Sequence, residues 1–148
     1  MDELDLRVRR FVYGRFVALG RAPTAAEVGA ELGLAVGEIE DSFRRLHDAH
    51  ALVLRAGTSE LLMANPFAAA ETLHRVECEG RSWFGNCCWD ALGIPSALHA
   101  DGRVESECAC CGEPLVLEVR EGRVAEGVEL LTHILVPARR WWDDIVFT

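Results

Sequence analysis

Trp83-Phe84-Gly85-Asn86-Cys87-Cys88-Trp89-Asp90-Ala91-Leu92-Gly93-Ile94-Pro95 sets two adjacent cysteines and an aspartate between tryptophans. Gly85-Asn86 reads as a loop ending in an N-cap. The apolar run after it reads as a short helix stopped by Gly93 and Pro95. With the helix starting at Cys87, Cys87 and Asp90 share one face. A thiol in a first helical turn meets the positive end of the helix dipole, which favours the thiolate. A carboxyl group beside it, walled in by indole rings, holds its proton more tightly, because burial and like charge both oppose ionisation. The pair then reads as a soft-metal ligand next to a proton donor. The competing reading is a buried helix with two core cysteines and a capping acid.

Downstream, residues 96–98 continue the segment as a turn or short helix, and Asp101-Gly102 makes a tight turn. Residues 103–107 alternate as a strand. Residues 114–120 alternate more clearly, with Leu115, Leu117 and Val119 on one face, and Glu121-Gly122 turns them into Val124. The apolar run 129–136 reads as a buried central strand, with His133 as a core histidine. Residues 139–147 form a segment rich in Trp and Asp, whose Trp141 and Trp142 read as core more readily than as pocket walls. Upstream, residues 74–79 read as a strand with Cys78 in the core. The second module, residues 66–148, is therefore α+β with a small, mostly antiparallel sheet and short helices.

Residues 1–65 read as a separate module. Residues 3–19 carry apolar positions at helical spacing up to Gly20. Thr24 and Glu27 make a capping box for a helix ending near Leu32. A third helix spans residues 37–51 with Ile39, Phe43, Leu46 and Ala49 inward, and His47 and His50 solvated. Leu52-Val53-Leu54-Arg55 and Leu61-Leu62-Met63 flank a turn at Gly57-Thr58. Three helices and a hairpin in this order make a winged helix-turn-helix. Its third helix carries Glu38, Glu40, Asp41 and Asp48 against Arg44 and Arg45, which repels a duplex rather than binding phosphates. A helical cap on the second module is the expectation, and nucleic acid is not an expected partner.

The 148-residue chain has a formal net charge of −9 and no lysine. That balance suits neither a nucleic-acid binder nor an anionic membrane surface. The acidic start Met1-Asp2-Glu3-Leu4-Asp5 has no signal-peptide h-region, and no window approaches the ~18 apolar residues of a membrane span. The expected compartment is cytoplasmic, with reduced thiols. Six cysteines then point to metal or thiol chemistry rather than disulfides. Cys108-Ala109-Cys110-Cys111-Gly112 holds a C-x-x-C-G, half of a zinc ribbon. A closed zinc site needs four ligands, and no second C-x-x-C exists. A soft ion such as Cu(I) or Hg(II) suits two or three thiolates better. The candidate metal ligands are Cys87, Cys88, Cys108, Cys110 and Cys111. No phosphate loop, nucleophile elbow or dinucleotide fingerprint is present.

The sequence resembles the bacterial organomercurial (alkylmercury) lyases over most of its length. The likeness begins in the winged-helix-like module. It strengthens at residues 83–98, where Cys87-Cys88-Trp89-Asp90 matches the family's cysteine-x-x-aspartate, and continues through Arg103-Val104-Glu105-Ser106-Glu107-Cys108 and Gly112-Glu113-Pro114-Leu115. The resemblance implies protonolysis of a carbon–mercury bond. Cys87 inherits the mercury-holding role and Asp90 the proton-donor role. Cys108 falls on a cysteine taken to be structural in the family. The implied substrate is a small organometal or soft metal ion, with no cofactor required beyond bound Hg(II) or another soft ion. The family's second catalytic cysteine lies after the last strand, where this chain has Trp142 followed by Asp143-Asp144. Either Cys88, Cys110 or Cys111 replaces it, or the lyase chemistry is lost. In the second case the chain is a thiolate metal-binding protein on the same fold, or a metal-responsive regulator.

Overall fold

The computed structural model describes residues 1–125 and 129–146. Three helices come first: α1 (Glu3–Leu19), α2 (Ala25–Leu32) and α3 (Val36–Asp48). Asp2 and Asp5 open α1 with a reciprocal capping box, and Thr24 with Glu27 does the same for α2. α3 closes earlier than its spacing predicts. Ala49 is its C-cap rather than an interior residue, and is therefore exposed, while Ile39, Phe43 and Leu46 are fully buried. Three short antiparallel strands follow, β1 (Val53–Leu54), β2 (Leu61–Ala64) and β3 (Phe67–Ala68).

A second antiparallel sheet has the order β5-β4-β6-β7-β8, built from β4 (Arg75–Cys78), β5 (Arg81–Phe84), β6 (Gly102–Glu107), β7 (Pro114–Arg120) and β8 (Arg123–Val124). Helix α4 (Cys88–Leu98) lies between β5 and β6 in the chain and packs on β3, β4 and β6. The architecture is thus mixed helix and antiparallel sheet. One core runs through both halves. The Phe16 ring of α1 stacks on Phe67 at 5.5 Å, and Trp83 of β5 lies 6.4 Å from Phe67. The Trp83 Nε1–H donates to the Phe16 carbonyl at 2.7 Å, so the strand that leads into the cysteine segment is anchored on α1.

Residues 129–136 depart furthest from expectation. They form no strand, and Leu131 is 99 % exposed and Leu135 71 %. A central strand needs ladder partners on both sides. β4, β6 and β7 already have theirs, so apolarity finds no vacant inner position. His133, expected in the core, is exposed. Gly102 begins β6 instead of completing a tight turn. A 3-10 helix (Ala138–Asp143) follows. His47 and His50, expected in solvent, both have partners. The Leu54 N–H donates to His47 Nδ1 at 3.4 Å, and His50 stacks on Trp142 at 4.0 Å with their planes 5° apart. Among the described residues, no helix is long and apolar enough to cross a membrane.

Asp5 is fully buried, and Ser42 Oγ (2.6 Å) and the Arg45 guanidinium (2.7 Å) both donate to its carboxylate. Burial pushes its pKa up, but the hydrogen bonds from Arg45, Ser42 and the Asp2 N–H outweigh it and hold the pKa at about 2. A depressed carboxyl pKa contributes stability above its unfolded value and loses it as pH falls through the folded one. The fold is therefore expected to weaken between about pH 4 and about pH 2 by up to about 2 kcal/mol from this group. Urea unfolding across that range should show the loss in the native protein. Asp5→Asn should remove this component, and an unchanged acid slope would sink the assignment.

Candidate active site

Gly85 delivers the chain from β5 to α4 at a point where no side chain fits. A Cβ there would lie 2.6 Å from the Ala91 nitrogen and 2.8 Å from its Cα. The helix then starts one residue later than the sequence predicts. Cys87 is the N-cap, with extended backbone (φ −147°, ψ 178°), and its sulfur accepts the Asp90 N–H at 3.5 Å. Nor do Gly93 and Pro95 stop the helix, which continues to Leu98. Pro95 is fully buried, and tertiary packing offsets the lost hydrogen bond and the interior glycine.

Cys87 and Asp90 do meet: the Asp90 N–H reaches the Cys87 sulfur, and the nearby thiol favours the Asp90 carboxylate. Their electrostatics differ from the expectation in one respect. Burial pushes the Cys87 thiol pKa up, aided by the charges of Asp90 and Cys88. The N–H groups of Asp90 and Trp89 pull it down without winning. Cys87 is therefore a thiol at rest, and desolvation defeats the helix dipole. Burial also raises the Asp90 pKa, against hydrogen bonds from Asn86 and Cys87. Of the two indoles expected as walls, Trp83 points into the core, whereas Trp89, 62 % exposed, lines the cleft beside the pair.

A cleft of ≈ 180 Å³ opens over Cys87, Cys88 and Asp90, which line it together. Its far wall comes from residues 132–136 with Trp141, Ile145 and Val146, the segment misread as strand and core. Trp141 donates its Nε1–H to the Val136 carbonyl at 2.7 Å, which ties the segment to itself across Pro137. Cys108, Cys110 and Cys111 lie outside this lining. Among the described residues, no three His, Cys, Asp or Glu side chains gather as a metal cluster. N–H groups of Cys111 and Cys110 push the Cys108 thiol pKa down.

Asn86 gave no functional signal in the sequence beyond a cap. Its Nδ2 donates to Asp90 Oδ2 at 3.0 Å, to Asn65 Oδ1 at 3.1 Å and to the Pro66 carbonyl at 3.4 Å, while its buried Oδ1 has no partner among the described residues. The amide thus links Asp90 to the β2–β3 junction. Asn86→Ala removes a donor that favours the Asp90 carboxylate, so the Asp90 pKa should move further up. A carboxyl titration followed by NMR reads this directly, and an unmoved titration would exclude Asn86 from setting it.

The alkylmercury lyase (MerB) family model matches residues 67–148, more than half of the chain and all of the cleft except Met63 and Asn65. The chain belongs to the alkylmercury lyase family. It is 33 % identical over 69 residues to an alkylmercury lyase of Pseudomonas putida, a match covering 45 % of this chain and 32 % of that protein. The crystal structure of the mercury-bound form of MerB2 superposes with a TM-score of 0.67 at 22 % identity, over 85 % of this chain and 60 % of that chain, a likeness of fold. The chain therefore spans only part of the length of both relatives. The alkylmercury lyase match includes α4 and its cysteine-x-x-aspartate, so the family resemblance and the cleft coincide on the same residues.

Proposed function

We propose that the protein acts as an organomercurial lyase, cleaving a carbon–mercury bond by protonolysis with Cys87, Cys88 and Asp90. The meeting of Cys87 with Asp90, whose pKa burial raises, in the lining of one cleft within an alkylmercury lyase domain carries this reading. The N-cap geometry supports Cys88 as the second sulfur. Helical neighbours would diverge by about 100°, but Cys87 lies outside the helix with extended backbone, and both cysteines line the cleft.

The step balances as follows. An organomercury thiolate exchanges its small thiol for Cys87, which binds mercury as thiolate while the small thiol leaves with the proton. Cys88 releases its proton to solvent and adds to mercury as thiolate. Thiolate donation weakens the metal–carbon bond. Asp90 delivers the proton to carbon, the bond pair goes with the carbon, and the hydrocarbon departs. Hg(II) remains on two thiolates.

The N-terminal helices and hairpin are read as a winged-helix-like cap without nucleic-acid function. Arg44 pairs with Asp41 and Glu40, and Arg45 with Asp5 and Asp2, so both cations of α3 are committed to carboxylates. The test is incubation of the reduced protein with an alkyl- or arylmercury compound and excess small thiol, measuring free hydrocarbon and Hg(II). Release that disappears in Cys87→Ser supports the lyase. Tight mercury binding without release would replace it with the metal-binding reading, which Trp142 at the position of the family's second cysteine favours.

A further inference from the structure

The cysteines between β6 and β7 have no part in the cleft, yet two of them are arranged as a pair. The turn is closed by the Cys108 N–H to the Glu113 carbonyl at 2.9 Å and the Gly112 N–H to the Cys108 carbonyl at 2.8 Å. Gly112 takes φ +71°, which a glycine adopts without strain. The Gly112-to-Cys108 bond closes a single helical turn, which sets residues 108 and 111, three apart, on the same side of it. The two thiol side chains are therefore neighbours on one face of the turn, and the Cys111 and Cys110 N–H groups hold the Cys108 thiol pKa down. Cys110 and Cys111 are both exposed, and Cys110, two residues from Cys108, stands off the shared face.

We propose that Cys108 and Cys111 form a second site, separate from the cleft, that holds one soft thiophilic ion of the Hg(II) or Cu(I) class. Two thiolates satisfy such an ion, whereas a closed zinc site needs four ligands. Among the described residues no third ligating group joins the pair. The topology sets this turn close to the cleft. Phe84 of β5 and Glu105 of β6 pair with the same residue, Arg75 of β4, from opposite sides. Cys87 and Cys108 each follow three residues later, at the same end of the sheet. Two strand spacings separate β5 from β6, roughly 10 Å.

Free Hg(II) binds any thiol, so the test is made under competition. The full chain carrying Cys87→Ser and Cys88→Ser is loaded with one equivalent of Hg(II) in excess glutathione and read by native mass spectrometry. With both cleft thiols gone, the outcome is independent of the lyase reading. One retained ion per chain is expected. Adding Cys111→Ser or Cys108→Ser should weaken retention by about 10²-fold or more, since the second thiolate then has to come from solution. Cys110→Ser should leave it unchanged. Retention that survives Cys111→Ser, or that Cys110→Ser weakens equally, would overturn the assignment. A thermal melt of each variant identifies any that fails to fold, and Cys111→Ser decides if Cys108→Ser does.

Discussion

Asp90→Asn is expected to abolish hydrocarbon release while leaving mercury on the protein. The substitution keeps the size of the side chain and removes its transferable proton. A positioned general acid contributes about 10²–10⁴-fold to rate, so turnover should fall by that factor. Hg(II) retention should stay near the native level, because Cys87 and Cys88 are intact. The pH profile gives a second reading. Burial raises the Asp90 pKa, and the acid form is the reactive one. The native rate should therefore decline as pH rises through that pKa, and the Asn variant should lack this limb. Turnover that survives in the variant would remove Asp90 as the donor and require another proton source in the cleft.

Trp83→Ala should be the most destabilising single truncation near the site. The side chain is 3 % exposed and packs near Phe67, with its indole N–H on the Phe16 carbonyl. Removing a buried tryptophan costs about 3–5 kcal/mol, a large part of the 5–15 kcal/mol typical of a whole domain. The urea midpoint should fall accordingly. Trp83→Phe separates packing from hydrogen bonding. The Phe16 carbonyl also accepts the Gly20 N–H at 2.9 Å, so losing the indole donor leaves it satisfied. That variant should cost only about 1 kcal/mol beyond its lost volume. If both variants cost the same, the anchor is the hydrogen bond and the packing argument fails.

What was legible in the sequence is local. The spacing of Cys87 and Asp90 brings them together because residues three apart at a helix start face each other whether the first is cap or helix. Capping boxes at Thr24 and Glu27, the turn at Glu121-Gly122 and the alternation in β7 likewise depend on near neighbours, and all appear in the structure. The tertiary structure alone decided the rest. Whether Pro95 ends a helix depends on what buries it. Whether a first-turn thiol ionises depends on the competition between dipole and desolvation, and Cys87 lost its dipole advantage to a depth of burial that no local pattern encodes. Residues 129–136 have the composition of a core strand, but strand formation needs an unpaired neighbour, which is a property of the sheet. Asn86 meets Asn65 across 21 positions of sequence, a contact set by the approach of β3 and β5. The sequence thus determined which chemistry is present; long-range packing decided its protonation, its walls and its partners.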